Sequence, residues 1–168
     1  MSLKEAVVMR SRPEPNGGEV LADSGKWPIK IVIPGKPGTY QKHVGQWRSR
    51  DGRSGIRAYD DKSYAAWRHY ARGRAAEVCG TRAIECGPVR VWIAAFVMPP
   101  KATSKKALAA ALAWETRPTV KPDVDNIAKA VFDSCLTGIV IRDDNQVVEL
   151  IVTKYFSDQP RVEVRIDV

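Results

Sequence analysis

The sequence is poor in the residues that build disulfide and imidazole chemistry. Its 168 residues include three cysteines, Cys79, Cys86 and Cys135, and two histidines, His43 and His69. An odd cysteine count without a C-x-x-C pair supports neither a disulfide framework nor a zinc knuckle, and it fits a reducing cytoplasm. Two histidines leave little scope for a His-rich zinc site or a proton relay, so each reads as a surface or packing residue. Long apolar runs are also missing. The hydrophobic stretches are of strand length, and the amino terminus lacks the basic-then-apolar order of a signal peptide, so a cytoplasmic protein with no membrane span is expected.

Negative charge is the minority sign. Lys and Arg number 27 against 19 Asp and Glu, giving a formal charge of +8 and a pI near 9.6. A basic surplus on a small chain favours polyanionic partners, nucleic acid foremost, although charge alone does not separate DNA from RNA or lipid headgroups. The length suits one domain, and a composition of 44% hydrophobic and 27% charged residues supplies enough apolar material for a core.

Residues 1–26 hold Pro13, Pro15, Gly17, Gly18 and Gly25 without periodicity and read as a flexible leader, leaving residues 27–168 as the domain. Ile29, Ile31 and Ile33 alternate with Lys30 and Val32 before Pro34-Gly35, a strand ended by a turn. From Lys42 to Arg57 neither helical nor strand period is visible, which predicts a basic loop. Asp60 or Asp61 can cap a helix to about Val78, with Tyr64, Trp67, Ala71 and Val78 on one face. The apolar run Val89 to Val97 predicts a central strand covered on both faces. Thr103 or Ser104 caps an Ala-rich helix with Leu108, Ala111 and Leu112 inward, and a further helix spans roughly Val124 to Leu136. Val147 to Tyr155 and the alternating Val162, Val164, Ile166 and Val168 predict a closing strand hairpin. The expected fold is α+β, a single domain with a mixed sheet of about four strands and flanking helices, in the order β-α-β-α-α-β-β.

The scarce acidic side chains concentrate in two segments, Lys121-Pro122-Asp123-Val124-Asp125-Asn126-Ile127-Ala128-Lys129 and Arg142-Asp143-Asp144-Asn145-Gln146-Val147. Two carboxylates at a helix start lie near backbone N–H donors that favour their ionised form. If Asp143-Asp144, at the mouth of a strand, comes alongside, the result is an all-oxygen cluster whose mutual repulsion calls for a cation. Mg2+, with Mn2+ as a substitute, prefers such ligands and accepts phosphate oxygens, which points to phosphodiester hydrolysis. Lys129 follows Asp125 by one helical turn, placed to balance charge on a phosphate or orient water, and Asp133 continues the stripe. Taken singly the pieces have plainer readings: Asp123 a cap, Asp125 with Lys129 a surface ion pair, Asp143-Asp144-Asn145 a turn.

The string Lys121-Pro122-Asp123-x-Asp125-Asn126-x-x-Lys129-Ala130-x-x-Asp133, followed after Gly138 by Asp143-Asp144-x-Gln146-Val147, resembles the signature of the RusA family of Holliday-junction resolvases, crossover-junction endodeoxyribonucleases. The resemblance implies Mg2+ ligation by Asp123, Asp125 and Asp144 and a catalytic role for these three with Lys129. Asn126, Asp133 and Asp143 match supporting motif positions. It also implies a homodimer that nicks opposed strands of a four-way junction in DNA recombination and repair, and a prokaryotic or phage origin. The Ile31-Val32-Ile33-Pro34-Gly35-Lys36-Pro37 segment is similar to the family's first strand and loop, whereas Thr39-Tyr40-Gln41-Lys42 departs from its usual Arg-Pro-Arg cluster.

Candidate phosphate contacts are Lys36, Lys42, Arg48, Arg50, Arg53, Arg57, Lys62, Arg68 and Arg72, with Arg74 beyond them and Tyr40, Trp47 and Tyr59 interleaved for stacking or burial. The rival reading is a non-catalytic junction-binding or architectural DNA protein with structural carboxylates. A calcium loop starting at Asp123 fails, with Ala128 at its sixth position and Ser134 at its twelfth. Gly35-Lys36-Pro37-Gly38-Thr39 lacks the spacing of a phosphate-binding loop. An Asp-x-Asp glycosyltransferase is a distant enzyme alternative without a Rossmann signature.

Overall fold

The computed structural model describes residues 28–38, 42–60 and 62–168, so the predicted leader and Tyr40 lie outside the described residues. Strands β1 (Ile29–Pro34), β4 (Val89–Val97), β5 (Val147–Phe156) and β6 (Arg161–Asp167) form one mixed sheet in the order β1-β6-β4-β5. β6 is antiparallel to both β1 and β4, while β4 and β5 run parallel. The α+β class and the four-stranded mixed sheet agree with expectation.

The alternation in β1 and β6 sets their inward faces. Ile29, Ile31, Ile33, Val162, Val164 and Ile166 are buried and join Val91 and Ile93 of β4 in the core. Helix α1 (Lys62–Cys79) lays Ala71, Ala75 and Cys79 on this face, and α3 (Val124–Val131) adds Ile127 and Val131. The predicted helix to Leu136 does continue, but Phe132–Leu136 widens into a π-type turn that buries Ser134, Cys135 and Leu136 in succession. Helix α2 (Lys105–Leu112) is capped by Ser104, whose side chain accepts from the Ala107 N–H at 3.3 Å. Its inner stripe is thinner than expected, because Ala111 alone is buried while Leu108 and Leu112 are exposed.

Three expectations are corrected. The basic segment is a two-stranded antiparallel ribbon, β2 (Lys42–Arg48) with β3 (Ser54–Asp60), closed through Gly52 at φ 85°. Among the described residues the ribbon packs chiefly on itself, so no core imposed the alternation that would have marked its strands. The closing strands are not a hairpin either. After β5 the chain passes the end of β4, where Ser157 N–H donates to the Val97 carbonyl at 2.9 Å, and β6 then inserts between β1 and β4. β6, buried along one face, is interior; β1, buried likewise, closes one edge, and β5, with Val148 and Leu150 exposed, closes the other. Nor is β4 covered by apolar layers along the whole of both faces: on its second face Phe96 is buried against Trp114 and Tyr155, but Trp92 is half-buried between Arg90 at 5.7 Å and Arg165 at 5.2 Å.

Candidate metal centre and nucleic-acid surface

Asp123 is the residue before the first turn of α3. It is exposed, its backbone is extended at φ −76° and ψ 149°, and its carboxylate makes no capping hydrogen bond. An aspartate at this position ordinarily accepts from an N–H two or three residues on, so the plain reading of Asp123 as a side-chain cap does not hold. Asp125 lies in the first turn and Lys129 in the last, both exposed, an arrangement that also suits the helix dipole. Asn126 is half-buried between them.

The turn that presents Asp123 is braced from the sheet. The Lys154 ammonium of β5 donates to the carbonyls of Val120 and Pro122, both at 2.8 Å. Arg117 reaches back to donate to the Lys154 carbonyl at 3.1 Å, and its guanidinium lies 3.8 Å over the Tyr155 ring. Trp114 packs against Tyr155 at 5.1 Å and donates its indole N–H to the Phe156 carbonyl at 3.2 Å. Sequence reasoning missed Lys154 and Arg117, since two cations in or near a strand carry no local signal of the loop they hold.

The second acidic segment is built differently. Asp143 caps a short 3-10 turn, Asp144–Gln146, by accepting from the Asn145 N–H at 3.0 Å, and the Gln146 side-chain oxygen accepts from the Asp143 N–H at 3.0 Å. That backbone hydrogen bond, then the adjoining Asp144 carboxyl, hold the Asp143 carboxyl below its ordinary range. Gln146 also donates to the carbonyls of Ile84 at 3.3 Å and Gly87 at 3.4 Å, fastening the segment to the chain leading into β4. Asp144 is exposed beside this cap.

The two segments lie at opposite ends of β5. Asp144 just precedes Val147, whereas the Asp123 turn is held by Lys154; at about 3.3 Å per residue, Val147 to Lys154 spans roughly 23 Å. Among the described residues no three His, Cys, Asp or Glu side chains are grouped to hold a metal ion. The expectation that both segments converge around one divalent ion is not met among the described residues of a single chain.

A family model for the endodeoxyribonuclease RusA matches residues 34–167, a span containing both acidic segments. The chain belongs to the RusA family. It is also similar to an uncharacterized protein, YqaN, of Bacillus subtilis (strain 168), with 45% identity over 82 residues. That alignment covers 48% of this chain and 57% of YqaN, so the chain matches a little over half the length of this curated relative.

In this RusA-family chain the candidate phosphate contacts fall on two surfaces. Arg48, Arg50 and Arg53 are exposed on the ribbon and its turn, with Arg53 paired to Asp51. Lys42 and Arg57 belong to the ribbon strands, with side chains outside the described residues, as are those of His43 and Tyr59. Lys36 is exposed after β1, and Lys62, Arg68 and Arg72 are exposed on α1. Arg68 lies 5.9 Å from the Tyr64 ring and lines an open groove with His69, Arg72 and Asp133. Asp133 thus faces the basic side of α1. Among the described residues no helix is long and apolar enough to cross a membrane.

Proposed function

We propose that this protein is a Mg2+-dependent endodeoxyribonuclease that resolves four-way DNA junctions as a homodimer, in recombination and repair. The observation that carries this reading is Asp123: within the RusA match, its carboxylate stands at a helix start unused by the backbone, on a turn braced by Lys154. Exposed oxygen donors of this kind fit a hard cation that retains waters, and Mn2+ would substitute.

A second copy supplies what one chain separates. β5 is an edge strand with Val148 and Leu150 exposed at 68% and 43%, and such an edge is a template for pairing with another strand. Antiparallel pairing of two β5 edges about a two-fold axis at Glu149 would set the partner's Asp144 opposite Lys154, beside the Asp123 turn. Arg90, in register with Glu149, would temper the like charges at the axis. Each site would then combine Asp123 and Asp125 of one protomer with Asp144 of the other.

A divalent ion bound there supplies Lewis acidity and lowers the pKa of bound water. The chain's own residues do the rest. Asp123 and Asp125 orient water for attack at phosphorus, Lys129 offers positive charge to the phosphate oxygens as the bridging P–O bond breaks, and Lys154 keeps the Asp123 turn from shifting.

The test is a labelled four-way junction with native protein, Asp123→Asn, Asp144→Asn and a co-refolded mixture of the two variants. Native protein should nick only with Mg2+ or Mn2+, and each variant should bind without cutting. In the mixed dimer of a shared site, one centre carries both substitutions and the other none, so single nicks return. A mixture as inactive as its components would refute the shared site. Native protein that grips the junction but never nicks with either metal would be a binding module.

A further inference from the structure

The β2–β3 ribbon is the part of the chain least explained by its own packing. Among the described residues its strands are paired with each other and packed little on the sheet or helices. An isolated two-stranded ribbon is marginal in water. Yet this one carries Val44 at 66% exposure, Ile56 at 73% and Trp47 at 45%.

Strand alternation and the Gln46↔Ile56 register put Val44, Gln46, Arg48 and Ile56 on one face. On the other, Trp47 lies over Gly55, where an added Cβ would come within 3.0 Å of the indole nitrogen. The closing turn is internally fixed: Ser49 N–H donates to the Arg53 carbonyl at 2.7 Å, and Arg53 donates to Asp51 at 2.6 Å. With Asp51 engaged by Arg53 and Ser49, Arg48 and Arg50 are exposed cations among the described side chains of the ribbon.

Phosphate binding requires cations and gains nothing from exposed Val and Ile, whereas base faces and edges offer apolar contact. We infer that the ribbon is a DNA-inserting arm, whose Val44–Ile56 face meets bases left unstacked at a branch point while Arg48 and Arg50 hold the flanking phosphates. This deepens the junction reading proposed above and rests on it. Charge selects DNA as the occupant over a second copy, because two such arms would repel one another.

The test uses the full chain in chelator, with a four-way junction carrying 2-aminopurine at the branch and a matched duplex. Native protein should prefer the junction and raise 2-aminopurine fluorescence. Val44→Thr with Ile56→Thr keeps strand propensity, and should lose the fluorescence change and about tenfold of the preference, with the salt slope unchanged. Arg48→Gln with Arg50→Gln should weaken junction and duplex alike and lower the salt slope by about 2. An unchanged preference and fluorescence in the threonine pair would overturn the arm. So would equal losses on both DNAs, or an altered oligomeric state by sedimentation velocity. A native protein that binds neither DNA would remove the junction reading as well, a result distinct from failure of the arm alone.

Discussion

Asp123 and Asp143 both stand immediately before a helical turn, and the chain treats them in opposite ways. Asp143 gives its carboxylate to the Asn145 N–H and is locked by Gln146 in a reciprocal cap. Asp123 leaves the cap unmade, and its turn is held instead by a lysine reaching across from β5. Identical chemistry at similar positions is structural in one turn and available in the other. A carboxylate retained without a local partner, on a turn fixed from elsewhere, is the more credible ligand. Asp144, exposed and set against the Asp143 carboxyl rather than used in the backbone cap, is the member of its pair left to reach outward.

The strongest way to break that comparison is to neutralise the available carboxylates. Asp123→Asn or Asp144→Asn should lower junction cleavage by at least about a thousandfold while junction binding in chelator stays within about twofold. Asp143→Asn should keep most of its cleavage rate. Equal losses at positions 143 and 144, measured in one cleavage series, would erase the distinction between cap and ligand.

Next in size is the brace. Lys154→Met removes the ammonium that donates to both the Val120 and Pro122 carbonyls and should cut kcat by about 10 to 100-fold, because misplacement of a reacting group by an ångström is costly. The metal concentration for half-maximal rate should rise and junction affinity should not, which separates positioning from unfolding. A change confined to Tm would make Lys154 purely structural.

On the other turn the expected effect is on stability. Gln146→Ala removes the partner of the Gly87 carbonyl and of the Asp143 N–H, while the Arg142 N–H and the Ile84 carbonyl keep each other, and should cost about 1–2 kcal/mol in urea unfolding. The smallest effect concerns neither turn. Burial raises the Cys135 thiol from 9.0 to about 12. With the folded value above the unfolded one, its contribution is fully present below pH 9.0 and is lost as pH rises toward about 12. Cys135→Val should flatten that alkaline decline, and thiol titration of the native chain should label exposed Cys86 well before Cys79 or Cys135.

Much of the fold was legible because burial leaves a period. β1 and β6 alternate, the stretch through Ile127 and Val131 has a helical stripe, and Ser104 marks a helix start. The ribbon was not legible, since strands with no core beneath them need not alternate. The closing hairpin was misread for another reason: alternation shows that a strand has two faces, and says nothing of its neighbours. Asp123, Asp125, Lys129 and Asp144 were visible as motif positions, while Lys154 and Arg117 were not, because their hydrogen bonds link residues more than thirty positions apart.

By itself the sequence determined membership in a carboxylate-bearing nuclease family, the basic surplus and the strands and helices of the core, all of which are local in residue type or spacing. Only the tertiary structure decided that β6 lies between β1 and β4, that β5 is left at an edge of the sheet, and that one acidic turn precedes β5 while the other is held by Lys154 near its far end. Strand order and distance depend on which surfaces bury one another, a cooperative outcome that no single window of residues contains.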